Sequence, residues 1–277
     1  MSSGIVKWFL GNLEKTHTYQ KFIVPKQIDK IISKNVSEYA LRDLPLITNP
    51  RVEKILRSSF NNKYGGIHVL VAPRGSGKTT YLRSYANQFI KIGGRVQFFA
   101  SELKSKKQFF TAFGDENRSM DLFEMLPKNS AIIIDQIEHQ ERLNDEMKSL
   151  LKHLAYESSR TEGISIIIST ANISLTKEIL KLNGNDKIRL NGSVPDWRWT
   201  PEIIDDCVLQ TPVFQNWTEQ ERKDLKNLAY KASCPAFLYT CADLLSDDQK
   251  FNMEILAKKA DTFAETWKEF ENTNFME

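Results

Sequence analysis

The stretch "HVLVAPRGSGKTTYL", residues 68–82, constrains this 277-residue chain more than any other. An apolar run leads into a loop punctuated by Gly75 and Gly77, and a helix-forming segment starts at Lys78. Glycines lack the Cβ that would keep an anion away, so consecutive backbone N–H groups can converge on a phosphate. The following helix adds the positive end of its dipole. Ala72, Pro73, Arg74, Gly75, Ser76, Gly77, Lys78, Thr79 and Thr80 therefore read as a phosphate cradle. Within it, Lys78 reaches the outer phosphates as a point charge, and the Thr79 hydroxyl is the candidate ligand for magnesium. The pattern usually opens on glycine, and here Ala72 takes that place. Such a loop predicts a chain that binds a nucleoside triphosphate.

The flanking sequence predicts the layer architecture. "ITNPRVEKILRSSFNN" reads as a helix with Asn49 as N-cap and Pro50 at its first position. Gly65-Gly66 ends it, and the strand "IHVLVA" follows. "TTYLRSYANQFIKI" reads as a helix closed by Gly93-Gly94. "RVQFFA", "AIIID" (131–135) and "ISIIIST" (164–170) read as three more strands. "ERLNDEMKSLLKHLAYESSR" is a helix with Met147, Leu150, Leu151 and Leu154 on one side. Continuous apolar strands alternating with helices predict an α/β fold with a parallel sheet and helices on both faces. Residues 181–202 read as an irregular link, and everything beyond about residue 200 as helical. The expected organisation is an N-terminal helical extension (1–44), a P-loop core (45–200) and a small all-α C-terminal lid (201–277).

The strand "AIIID" places Asp135 at the carboxyl edge of a neighbouring strand, where a carboxylate can hold the water shell of a magnesium ion. Hydrolytic P-loop ATPases of the additional-strand type commonly follow that acid with glutamate, but position 136 is Gln. An amide can orient a water but cannot take its proton. Glu138, two residues on, and Glu102, in "FFASEL" at the end of the second strand, are the candidate substitutes. With neither acting, turnover would be slow, because a general base contributes ~10²- to 10⁴-fold.

With these residues named, the chain resembles the AAA+ ATPases over residues 44–245. "LPLITNPRVEKIL" is similar to the segment that lines the adenine pocket, which implies Leu46 and Ile47 beside the base. "APRGSGKTT" resembles the Walker A loop, "AIIIDQIE" the Walker B strand and "IIISTAN" the sensor 1 strand, which implies that Asn172 faces the γ-phosphate and attacking water. Lys78 to Asp135 spans 57 residues and Asp135 to Asn172 spans 37, close to the family's separations. "LKNLAYKASCPAFLYTCADLL" looks like the helical lid, although "SCPAFLY" stands where the lid arginine is expected. The resemblance implies ATP and Mg2+ as cofactors and a homo-oligomer, ring or filament, in which a neighbour inserts an arginine. Arg160 is the first candidate for that arginine and Arg189, in "DKIRLNG", the second.

The subgroup it is most similar to, initiators and transposition regulators, implies an ATP-controlled DNA-associated assembly factor acting in replication, transposition or a mobile-element process. Three other readings stay open: a RecA-like DNA motor using Glu102 as base, a protein-remodelling ATPase, and a low-turnover nucleotide-bound structural or signalling subunit.

Charge bears on the partner. Residues 1–110 hold 19 Lys+Arg against 6 Asp+Glu, and the remainder 19 against 29. A basic half can meet a polyanion such as DNA, or attract the acidic half of the same or a neighbouring copy. Lys104, Lys106 and Lys107 are candidates for phosphate contact and Phe109 and Phe110 for stacking or packing. Trp197 and Trp199, flanking Arg198, either stack on bases or anchor the link against the core. Cys207, Cys234 and Cys241 are too few and too far apart for a disulfide framework and fit a reducing, intracellular compartment, cytoplasmic or nuclear. The four histidines form no metal-ligand spacing. No apolar run approaches the ~18 residues of a membrane span, and the opening "MSSGIVKWFL" reads as an amphipathic helix docking on the body.

Overall fold

The structure is a computed structural model describing residues 49–61, 65–100, 103, 105–112, 123, 126, 128–137, 142–182, 187–246 and 253–275. The expected extension 1–44 lies outside them. The first described helix, α1 (Pro50–Phe60), starts as its sequence predicts. The Asn49 side chain accepts from the Arg51 and Val52 N–H groups, and Pro50 occupies the first turn.

Five parallel strands follow: β1 (Ile67–Val71), β2 (Arg95–Ala100), β3 (Ser130–Asp135), β4 (Ile164–Thr170) and β5 (Ile188–Leu190). Their order across the sheet is β2-β3-β4-β1-β5. Every residue of β1, β3 and β4 is buried, which is why these segments are continuous apolar runs rather than alternating ones. Two sequence expectations are corrected here. Asp135 does not lie on a strand adjoining β1, because β4 is inserted between β1 and β3. The stretch 181–202 is not irregular throughout: it carries the edge strand β5 and a 3-10 turn, Val194–Trp197.

The connecting helices are α2 (Lys78–Lys91), α3 (Lys106–Ala112), α4 (Asp145–Arg160) and α5 (Ile173–Lys181). Parallel crossovers are right-handed. The β1-to-β2 crossover runs opposite to the later ones across the sheet, so α2 covers one face and α3, α4 and α5 the other. Contacts agree, since α1 packs on α2, and α3 on α4. On α4, Met147, Leu150, Leu151 and Leu154 are buried as the 3.6-residue period requires. After β5 the described residues are helical: α6 (Pro201–Gln210), α7 (Pro212–Gln215), α8 (Glu219–Ala232), α9 (Pro235–Ser246) and α10 (Met253–Glu271).

Trp197 and Trp199 are buried, and the Trp199 Nε1 donates to the Tyr81 hydroxyl at 3.2 Å. They anchor the link to the core, and neither presents a face for a base. Phe109 and Phe110 are likewise buried and packed edge to face. No helix among the described residues is long and apolar enough to cross a membrane.

Candidate phosphate-binding site

The loop after β1 turns at Gly75 (φ 82°) and Gly77 (φ 89°), both in the left-handed region that favours glycine. Pro73 accepts from the Ser76 N–H at 3.3 Å, which closes the loop. Lys78, the first residue of α2, is buried, with its ammonium held by the Ala72 carbonyl at 2.6 Å, the Pro73 carbonyl at 3.0 Å and Ser76 Oγ at 3.4 Å. The cradle thus keeps a cation over its own carbonyls. Arg74 is exposed on its rim, and Thr79 and Thr80 are half-buried in the first turn of α2.

Asp135 ends β3 beside this turn and is 1% exposed. The insertion of β4 has a direct chemical consequence. Ser169, on β4, donates its hydroxyl hydrogen bond to Asp135 Oδ1 and accepts from the Gln136 N–H at 3.3 Å. Gln136 takes a left-handed backbone (φ 54°), uncommon outside glycine, and its Nε2 donates to the Thr79 hydroxyl at 3.0 Å. Thr79 on α2, Asp135 at the end of β3, Gln136 just after it and Ser169 on β4 are thereby linked, with Gln136 joined to Ser169 through its backbone. Asp135 Oδ2 is the buried oxygen that has no hydrogen-bond partner.

Burial raises the Asp135 carboxyl above its ordinary range, while the Ser169 and Thr79 hydroxyls and the Arg83 and Lys78 cations pull it down. Arg83 was not foreseen from the sequence. It lies five residues after Lys78 on α2, buried, with its guanidinium 5.6 Å from the Phe98 ring centroid. Ser169 is the other functional residue missed, since a serine in an apolar strand gives no signal until β4 is known to adjoin β3.

The remaining candidates are placed as follows. Asn172 lies just past β4, half-buried, and caps α5 by accepting from the Leu175 N–H at 2.9 Å. Its Oδ1 is committed to the cap. Arg160 ends α4, exposed, and donates to the Tyr156 hydroxyl at 2.9 Å. Since α4 runs back from the Asp135 edge, Arg160 sits at the amino edge of the sheet, away from its own P-loop. Arg189, on β5, pairs in register with His68 and donates to the Gly65 carbonyl at 3.0 Å, also at the amino edge. Lys106 and Lys107 open α3, with Lys106 Nζ 5.9 Å from the Phe110 ring centroid. Leu46, Ile47, Glu102, Lys104 and Glu138 lie outside the described residues.

The start of α9 packs against the phosphate loop where an arginine was expected and "SCPAFLY" stands instead. The Ala236 N–H donates to the Gly75 carbonyl at 3.2 Å. A Cβ on Gly75 would come within 2.5 Å of the Ala236 Cβ, and one on Gly77 within 3.4 Å of Pro235. The C-terminal helices therefore meet the loop through the Ala236 backbone, Pro235, Ala236 and the Phe263 ring of α10.

No family model matches the chain, and no curated protein matches it. Among solved structures it is similar to a Walker-type ATPase of Pyrococcus abyssi, with 13% identity, 79% of this chain and 72% of that one covered, and a TM-score of 0.49. A mutant RuvB of Thermotoga maritima aligns at 14% identity over 78% of this chain and 70% of its own, with a TM-score of 0.46. Domain III of the Thermotoga maritima replication initiation protein DnaA aligns at 14% identity over 82% of this chain and 95% of its own, with a TM-score of 0.46.

Proposed function

We propose that the chain is an ATP-binding, slowly hydrolysing AAA+ ATPase that self-associates and acts as an ATP-controlled, DNA-associated assembly factor. The observation that carries this reading is the linked set Thr79, Asp135, Gln136 and Ser169 beside Lys78. The loop N–H groups and Lys78 bind the triphosphate, with Lys78 exchanging loop carbonyls for phosphate oxygens. The Thr79 hydroxyl and the Asp135 carboxylate, whose Oδ2 is open, form a hard-oxygen donor pair that suits magnesium. Thr79 and Asp135 would hold the ion, which neutralises phosphate charge when bound. Asn172 orients water beside the terminal phosphate. The core is residues 45–200, with 201–277 as the lid that contacts the loop through Ala236.

Gln136 is engaged with Thr79 rather than presenting a carboxylate to water, so hydrolysis is slow unless Glu102 or Glu138 supplies the base. Arg160, exposed at the far edge of the sheet, is the arginine a neighbouring copy inserts, with Arg189 second. The Gln136–Thr79 contact also favours a second reading, a nucleotide-bound subunit with little turnover.

Turnover measured at several protein concentrations, with and without duplex DNA, tests the proposal. Activity that rises with both and vanishes in Lys78→Ala supports an assembling, DNA-associated ATPase. ATP binding with negligible turnover under every condition supports the second reading, and absence of ATP binding overturns both.

A further inference from the structure

Among the described residues of the basic half, helix α1 presents a well-defined outward face. Helix α1 buries Val52, Ile55, Leu56, Ser59 and Phe60 against the core, which fixes its rotation. Arg51, Lys54 and Arg57 then fall at i, i+3 and i+6 along the opposite side, all exposed. At 1.5 Å per residue the stripe is about 9 Å long. None of the three enters an ion pair recorded among the described residues. Glu202, at the head of α6, feels the charge of Arg51, and Glu53, half-buried on α1, lies one turn before Arg57.

The stripe continues onto the sheet edge. Asn191 donates to Ser58 Oγ at 3.0 Å, joining α1 to the end of β5. Arg189 is exposed two residues earlier, and Lys187 stands 4.3 Å from the Tyr156 ring centroid, with Arg160 over the same ring.

A protein partner would leave a different signature. Interface cores are depleted of charge and anchored by apolar or aromatic side chains. The exposed large apolar residues Ile92, Leu209, Met253 and Ile255 all lie on other segments, and Tyr156, on α4 and half-exposed, holds two cations against its ring. The exposed side of α1 offers cations, Ser58 and Asn61. Arg, Lys, Ser and Asn donors are the groups that contact phosphate oxygens rather than base edges.

We propose that the outer face of α1, continued by Arg189 of β5 and by Lys187 just before that strand, binds the phosphodiester backbone of nucleic acid without reading its sequence. This rests on the nucleic-acid association proposed above and assigns a surface to it.

The test is fluorescence anisotropy on the full chain with a labelled duplex DNA, a second duplex of unrelated sequence and a duplex RNA, each titrated between 50 and 200 mM KCl. Each phosphate contact adds about 0.9 to the salt slope on a duplex. R51A/K54A/R57A is expected to weaken binding at least 10-fold and to lower the slope by about 3, and K54A alone by about 1. R51K/R57K is expected to keep the slope, and the two DNA sequences to bind alike. Equal binding of DNA and RNA supports contact with the shared backbone, and preference for one names that duplex as the source. Binding of a fluorescent ATP analogue, read in parallel, stays unchanged in all variants. If wild type binds nucleic acid and the triple variant binds it with the same slope, the surface is wrong while the association stands. If wild type binds the analogue but no nucleic acid, the association and this inference both fail. Loss of self-association in the triple variant without nucleic acid makes the face a contact between copies and overturns the inference.

Discussion

Gln136 Nε2 donates to the Thr79 hydroxyl at 3.0 Å, across the gap between the end of β3 and the first turn of α2. The residue that follows Asp135 is therefore a clamp on the proposed magnesium ligand Thr79. Its left-handed backbone is held by the Ser169 contact, so the geometry is specified by neighbours rather than by the Gln itself.

Gln136→Glu tests whether a base is the missing element. The carboxylate is nearly isosteric and lands beside Thr79 and Asp135. Turnover at pH 8 is expected to rise about 10²-fold, at the lower end of what a general base contributes. A steady-state ATPase assay showing no rise would mean that Glu102 or Glu138 already fills the role. Gln136→Ala, with neither amide nor acid, is expected to leave kcat low and to weaken magnesium dependence through loss of the Thr79 contact.

Ser169→Ala removes the hydroxyl that orients Asp135 while leaving the buried strand packed. Outer-sphere partners of this kind are worth about 10- to 100-fold in metal affinity. The magnesium concentration needed for tight nucleotide binding is expected to rise by that factor, and magnesium-free binding through Lys78 is expected to be unchanged. Equal loss in both conditions would show that Ser169 supports the fold rather than the ion.

What could be read from the sequence was local. The Asn49-Pro50 helix start, the glycines of the loop and the apolar runs of β1, β3 and β4 are each signalled within a few residues. Relations set by strand order were not legible. Ser169 acquires its role only because β4 adjoins β3, with Ile134 paired to Ile168 and Asp135 next in line. β5 escaped notice because it is three residues long and only Ile188 is buried. Arg83 resembles any helix-surface arginine until the Phe98 ring beneath it is placed by β2. The tryptophans were legible as anchors or as base-stacking groups, and burial decided for the anchor.

Gly75→Ala probes the contact between the phosphate loop and α9. The new Cβ would meet Ala236 Cβ at 2.5 Å and sit on a backbone with φ 82°. Backbone strain and overpacking together are expected to cost roughly 2–4 kcal/mol. Ala236→Gly removes the clash but not the strained φ, so the double variant should recover part of the loss. Denaturant unfolding of the four proteins in a mutant cycle measures this coupling. Strict additivity would show that α9 moves away from the loop at no cost.

His68 gives a pH dependence with a definite sign. It is buried on β1 with neither ring nitrogen hydrogen-bonded. Burial, aided by the Arg189 charge, lowers its pKa from 6.5 to about 4. Between those values the unfolded chain binds the proton and the folded chain does not, so stability falls as pH falls through this window. The full loss, reached near pH 4, is about 3 kcal/mol. His68→Phe fills a similar volume and cannot titrate. Its stability is expected to change less between pH 7 and pH 4.5 than that of wild type, measured by chemical denaturation at each pH. Parallel curves for the two proteins would mean that His68 charges inside the folded state without penalty, which its unpartnered ring nitrogens argue against.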